Sequence, residues 1–76
     1  MKLIIRTGPV RPTNLVVADG DDIILQKKVW RGDVEKTIDE IFKTRYIEAV
    51  QFLEKNKYSE KLIDYIEKTY KGVEIL

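Results

Sequence analysis

The side chains that could carry chemistry in this chain form a restricted set. None of the 76 residues is histidine or cysteine, which excludes imidazole base catalysis, thiolate metal sites and disulfide bonds. Asp, Glu, Lys and Tyr remain as acid–base candidates, but no pair of them stands at a telling spacing in an apolar setting. The four glycines each stand alone, so the sequence has no phosphate-binding glycine pattern. We predict a protein that is not an enzyme and has neither catalytic residues nor a cofactor.

The densest group of carboxylates is the segment Asp19-Gly20-Asp21-Asp22. A calcium loop of the EF-hand type needs aspartates at alternate positions, a distal glutamate and flanking helices, and the sequence does not show this arrangement. Asp-Gly between two apolar runs is instead typical of a β-hairpin turn. Turn chemistry explains the segment better than a metal does, and we predict no metal site.

A basic and aromatic segment, Lys27-Lys28-Val29-Trp30-Arg31, is the best candidate for binding nucleic acid. Single strands stack their bases on aromatic rings while cations follow the phosphates, and Arg6 and Arg11 could lie nearby. Two features weigh against this function, because the chain has one tryptophan and a net charge of only +1. The simpler interpretation, in which Trp30 covers the edge of the core and the lysines solvate a strand, is favoured.

The elements that must position these residues begin with three strands. Short runs of β-favouring apolar residues between breakers predict strands at about residues 2–7, 13–18 and 23–30. Pro9 and Pro12 interrupt the first connection and predict a stiff loop. That loop either presents cations for recognition or keeps an edge strand from aggregating, and the second role is favoured.

Two amphipathic helices are predicted to follow the strands. Apolar residues at helical spacing indicate one long helix at about residues 33–56, with Asp33 as its N-cap. Ser59 is then expected to cap a second helix at about residues 60–71, which Gly72 ends. The last four residues alternate in polarity, so they either add a short C-terminal strand or pack against the last helical turn. Packing is favoured.

We therefore predict an α+β fold with two layers, in which a three-stranded antiparallel β-meander packs against two α-helices in the order β-β-β-α-α. Residues 1–76 are expected to form a single domain, near the lower size limit for one core. No stretch approaches the roughly 20 apolar residues of a membrane span, and the N-terminal apolar run is too short for a signal peptide. We expect a complete small cytoplasmic protein with no membrane partner.

Alternation along the predicted strands gives the sheet two faces of different character. Ile23, Leu25 and Val29 of the third strand would point towards the helices, with the odd-numbered residues of the first two strands. The opposite face, here called the outer face, would carry four apolar residues among basic and polar side chains. These four residues are Ile4, Val16, Ile24 and Trp30. They exceed what a solvent-facing surface requires, and such a patch suggests an interface.

Two residues do not fit the apolar arc of the predicted long helix. Arg45 would project within the arc, and Ile47 would project outside it. Three explanations are open for Arg45: pairing with Glu48 or snorkelling to the surface, a helix break near Thr44 that rotates it outward, or a dedicated site. Ile47 would be left free to contact a partner.

The main hypothesis is a small non-enzymatic interaction or regulatory module, of the inhibitor or accessory type. It would bind a protein partner, or form a homodimer, through the outer face and exposed helix positions. The alternative is a module that binds single-stranded nucleic acid through residues 27–31. The candidate binding residues are Ile4, Arg6, Arg11, Val16, Ile24, Lys28, Trp30, Arg31, Arg45 and Ile47.

Overall fold

In the computed structural model, which describes residues 1–8 and 12–76, a five-stranded mixed sheet packs against two α-helices. The strands are β1 (Lys2–Arg6), β2 (Thr13–Asp19), β3 (Asp22–Val29), β4 (Ala49–Phe52) and β5 (Glu74–Ile75). The helices are α1 (Val34–Thr44) and α2 (Lys57–Thr69), and a single 3₁₀ turn (Arg31–Asp33) precedes α1. The predicted α+β class is confirmed.

The sheet has the spatial order β3-β2-β1-β4-β5. The first three strands form the predicted antiparallel meander. The sheet then continues on the other side of β1, where β4 pairs parallel to β1 and β5 pairs parallel to β4. The prediction of only three strands was therefore incomplete. It also placed β1 at an edge of the sheet, whereas β1 lies in the middle.

The β2–β3 hairpin closes at the aspartate-rich segment, as its turn chemistry predicts. Gly20 has a φ of +62°, which the first central position of a type II′ hairpin turn requires and which glycine adopts at low cost. Immediately beyond the turn the register shifts, so that Ala18 lies opposite Ile23 and Val17 opposite Leu25. Ile24 is the inserted residue of a β-bulge.

The predicted long helix at residues 33–56 was wrong. Helix α1 ends at Thr44, and Arg45 has extended backbone with φ −139° and ψ 148°. The sequence Ala49-Val50-Gln51-Phe52 fits an alternating strand as well as one helical face, and pairing with β1 decides between them. As a strand it places Val50 beside Leu3 and Phe52 beside Ile5, and all four side chains are buried.

The second helix begins three residues earlier than predicted, and its N-cap is Asn56, not Ser59. The Asn56 side chain accepts a hydrogen bond from the Ser59 backbone N–H (2.9 Å), while Ser59 Oγ accepts one from the Asn56 N–H (2.8 Å). This reciprocal pair is a capping box. Asn56 Nδ2 also donates to the carbonyl oxygen of Thr7 (3.2 Å), which fixes the start of α2 against the end of β1.

The C-terminal residues pair and do not merely pack, which corrects the favoured expectation. Gly72 follows α2 with a φ of +90°, a left-handed conformation that turns the chain back at a helix end. Val73 then leads into β5, where Ile75 lies beside Val50. The preference for packing failed because the parallel edge offered by β4 had not been predicted.

The core lies between one face of the sheet and both helices. Its sheet members are Leu3, Ile5, Leu15, Val17, Val50 and Phe52, and its other members are Val34, Ile38, Ile41, Ile47, Leu62 and Ile66. Since α1 and α2 share this cluster with the same sheet residues, both helices cover the same face. The outer face has no helix against it in the described part of the chain.

Candidate interaction surface

The centre of the outer face is an aliphatic pair flanked by amides. Ile4 on β1 lies directly beside Val16 on β2, with Gln26 next to Val16 and Gln51 next to Ile4. Both aliphatic side chains are partly exposed. Neighbouring strands are about 4.8 Å apart, so these four residues form one continuous row across four strands. The structure therefore brings together the two central residues of the predicted patch.

The apolar surface extends to the free edge of β3. Ile24 is 42% exposed and Ile23 is 66% exposed. Ile23 was expected in the core, and the bulge explains the error, because one inserted residue moves Ile23 opposite Ala18 on the outer side. Trp30, which is 67% exposed, follows the end of β3 and is not a sheet residue. Three predicted outer-face residues thus share the sheet surface, and Trp30 lies beyond it.

A polar row borders this apolar centre on one side. Arg6, Asn14 and Lys28 occupy adjacent positions on β1, β2 and β3. The Nε of Arg6 lies 3.7 Å from Oε1 of Glu54, with both side chains about half exposed. The row opens into a cleft of about 250 Å³, where the buried Oδ1 of Asn14 has no hydrogen-bond partner among the described residues. Arg11, also predicted here, lies outside the described residues.

The basic and aromatic segment does not form a single surface. Lys27 lies opposite Leu15 on the side of the helices, whereas Lys28 lies opposite Asn14 on the outer face. Trp30 and both lysines border an open groove of about 490 Å³ between β3 and α1, to which α1 contributes Lys36 and Glu40. Of the residues predicted to bind nucleic acid, Lys27, Lys28 and Trp30 thus line one groove.

Arg31 packs on Tyr58 of α2 and does not line this groove. Its guanidinium lies 4.4 Å from the centre of the Tyr58 ring, a cation–π distance. The Tyr58 hydroxyl donates to the Arg31 carbonyl oxygen (3.1 Å). Partial burial raises the pKa of Tyr58, and the positive charge of Arg31 opposes that effect. Arg31 therefore attaches the start of α1 to α2.

The two irregular positions of the predicted helix have separate explanations. Ile47 was expected at the surface but is only 5% exposed and belongs to the core, because the helix has already ended and helical periodicity no longer applies. Arg45 follows the helix end, and its Nη1 donates to Thr44 Oγ1 (3.2 Å). Its guanidinium makes no ion pair with Glu48 in the described part of the chain. Of the three explanations for Arg45, a helix break at Thr44 matches the backbone.

A polar cluster between the helices was missed by the sequence analysis. Both carboxylate oxygens of Asp39 accept hydrogen bonds from the Tyr65 hydroxyl (2.7 and 2.9 Å), and Oδ1 also accepts one from Tyr70. The Tyr70 ring stacks on Phe42 with centroids 4.0 Å apart. We call Asp39, Tyr65 and Tyr70 the phenol–carboxylate cluster. Its partners are far apart in the chain, so no spacing in the sequence indicated it.

The surroundings of this cluster raise the pKa values of both phenols. Hydrogen bonding to Asp39 is the main cause of the raised pKa of Tyr65, and burial followed by the same carboxylate raises the pKa of Tyr70. Both phenols are therefore kept protonated and serve as donors to one carboxylate. Neither phenol is therefore available as a nucleophile or base near neutral pH, and their hydrogen bonds to Asp39 link α1 to α2.

Comparisons of this chain with protein-family models, with curated proteins and with solved structures gave no match. Within residues 1–8 and 12–76, no helix is long and apolar enough to cross a membrane, and no three carboxylates converge as they would around a metal ion. The outer face and its edge are consequently interpreted from their own residues.

Proposed function

We propose that this protein is a non-enzymatic interaction module, of the inhibitor or accessory type, that binds another protein through the outer face of its sheet. The observation that carries the proposal is the placement of both helices on the opposite face, which leaves Ile4, Val16 and the edge residue Ile24 partly in water. Apolar surface with a polar border is a common feature of protein-binding sites.

The border of the outer face favours a partner of a particular charge. Arg6 and Lys28 lie along one side of the aliphatic centre, and Lys2 lies beside Ala18 on the other side. Glu54 offsets part of this positive charge beside Arg6, and Asp19 and Glu48 line the same cleft as Lys2. A partner that placed carboxylates around an apolar contact would match this pattern, and complementary charge of this kind increases the association rate and the specificity.

The test begins by purifying the tagged chain with its partner from the native cells and identifying that partner. Binding of the purified pair is then measured for Val16→Lys, which places a charge in the centre of the outer face. We expect its affinity to fall by about tenfold or more, since about 1.4 kcal/mol corresponds to a factor of ten.

Tyr46→Lys is the matched control, because Tyr46 is 76% exposed in the connection between α1 and β4. It should bind like the wild-type chain. Equal affinity of Val16→Lys and wild type, with both folded by circular dichroism, would refute the proposal.

The second candidate function is binding of single-stranded nucleic acid in the groove between β3 and α1. It is supported by Lys27, Lys28 and Lys36, which line this groove together with the exposed Trp30. Asp33 and Glu40 line the same groove and offset part of the positive charge. Trp30 is the only tryptophan in the chain, so its fluorescence reports on this groove directly. Quenching of the Trp30 fluorescence by a single-stranded oligonucleotide, with an affinity that falls steeply as salt is added, would favour this function. The absence of binding at low salt would refute it.

The cytoplasm is the proposed compartment of action. The support is the lack of cysteine, which suits a reducing environment. A fluorescent fusion observed in the native cells tests this, and export of the fusion would contradict it.

A further inference from the structure

The free edge of β3 carries a charge pattern that reverses along the strand. Asp22 begins the strand and Asp21 precedes it in the turn, Lys27 and Lys28 stand near its end, and residues 23–26 are uncharged. Among residues 1–8 and 12–76 the one ion pair joins Arg6 to Glu54, so these four charges have no ion-pair partner in that part of the chain. Ile23 and Ile24, between the charged groups, are 66% and 42% exposed.

We propose that β3 pairs with β3 of a second copy of this chain, in antiparallel orientation about a two-fold axis at Leu25. Antiparallel pairing of identical strands brings the beginning of each strand beside the end of the other. The aspartates of each copy therefore meet the lysines of its partner. Parallel pairing would instead place like charges side by side, so the pattern selects one orientation.

The bulge sets the register of this pairing. On the β2 side, Ile23 and Ile24 together occupy the space opposite one residue. A partner strand on the free edge would also place one residue opposite these two. Counting outward from the Leu25 pair, Asp22 then meets Lys27 and Asp21 meets Lys28. The Asp22–Lys27 pair also agrees in face, since both residues lie on the side of the helices by alternation from their β2 partners.

Charges on an edge strand usually prevent association, and a lysine directed towards the core side is one such device. That protection depends on like charges meeting when two edges approach. On β3 the sign reverses between the two ends, so the same charges attract an identical antiparallel edge. The opposite end of the sheet offers only the two-residue strand β5, and β3 is therefore the longer free edge in the described part of the chain.

The proposed dimer would join two sheets into one of ten strands, with its helices on one side. It uses the free edge of β3, which shares Ile24 and Lys28 with the protein-binding surface proposed above but does not include the centre of that surface at Ile4 and Val16. Val16→Lys, which tests that function, should leave the dimer intact.

Sedimentation velocity of complementary charge variants tests the pairing. Asp21→Lys with Asp22→Lys makes the edge entirely basic, and Lys27→Asp with Lys28→Asp makes it entirely acidic. We expect the wild-type chain to be dimeric, each variant to be monomeric alone, and an equimolar mixture to form a heterodimer. Raising the ionic strength from about 50 to about 500 mM should weaken the wild-type dimer several-fold, because it shortens the screening length.

The matched control reverses charges on the exposed side of α2, with Lys61→Asp and Asp64→Lys, and should leave the dimer unchanged. Hydrogen exchange of the wild-type chain provides a readout that does not depend on folding of the variants. Amides near Leu25 should exchange more slowly at high protein concentration than at low concentration. A wild-type chain that stays monomeric, or a mixture of folded variants that does not associate, would overturn the proposal.

Discussion

The phenol–carboxylate cluster makes a quantitative prediction about stability. Tyr70→Phe removes one hydroxyl donor from Asp39 while keeping the ring that stacks on Phe42. Hydrogen bonds to a charged group contribute about 1.5–3 kcal/mol, and the partial exposure of these side chains places the expected loss near the lower end, at about 1–2 kcal/mol. Small domains have a free energy of unfolding of about 5 kcal/mol at the lower end, so this change is a substantial fraction.

The assay is urea unfolding of wild type, Tyr70→Phe, Asp39→Ala and the double variant, followed by circular dichroism. If the hydroxyl acts through Asp39, Tyr70→Phe should cost little once Asp39 has been removed. The coupling energy from this double-mutant cycle should then be about 1 kcal/mol. In a domain of this size, each kcal/mol corresponds to a shift in melting temperature of about 4–8 °C, which gives an independent check.

Tyr46→Phe is the control for removing a hydroxyl without removing this contact, because Tyr46 is highly exposed. It should change the free energy of unfolding by less than about 0.5 kcal/mol. Two results would refute the reasoning. One is a Tyr70→Phe variant as stable as the control, and the other is an equal loss from Tyr70→Phe with and without Asp39.

Three further predictions follow from features of the fold. Because the pKa values of Tyr65 and Tyr70 are raised in the folded state, the unfolded chain loses its phenolic protons at lower pH than the folded chain. The free energy of unfolding should therefore hold up to about pH 10 and then fall by up to about 1.4 kcal/mol per pH unit for each tyrosine. Urea midpoints of the wild type and of the variant with both Tyr65→Phe and Tyr70→Phe, measured across this pH range, check this. Asn56→Ala removes the N-cap of α2 and its bond to Thr7, and should cost about 1–2 kcal/mol in the same assay. Ile47→Ala should lower the free energy of unfolding by about 2–5 kcal/mol, because it truncates a core side chain. Arg45→Ala should lower it by less than about 1 kcal/mol. Thermal unfolding of both variants tests this difference.

The local parts of the fold were predictable from the sequence, because they depend on neighbouring residues. Alternation and turn chemistry identified β1, β2 and β3, and the aspartate-rich hairpin turn follows from Asp-Gly between apolar runs. The same alternation identified Ile4 and Val16 as outer-face residues. These predictions needed no information about how distant segments meet.

The N-cap of α2 was assigned to the wrong member of a local pair, Asn56 and Ser59, whereas the other errors arise where no short sequence motif decides the structure. Residues 49–52 satisfy helical and strand periodicity equally, and only the parallel pairing with β1 selects the strand. The exposure of Ile23 depends on a bulge that leaves no compositional mark. The phenol–carboxylate cluster depends on how α1 and α2 lie against each other, which a single sequence does not encode in any short motif.

The position of β4 has a consequence for the order in which the chain can fold. The meander and α1 contain only sequence-local pairings, which form quickly. β1, however, reaches its second neighbour only when β4 has been synthesised, and β5 must wait for α2. During translation, a chain shorter than about residue 52 therefore presents β1 with one open edge and leaves Leu3 and Ile5 without Val50 and Phe52 beside them. Such a chain exposes apolar surface and an unpaired strand edge, the two features that make incompletely folded chains prone to aggregate.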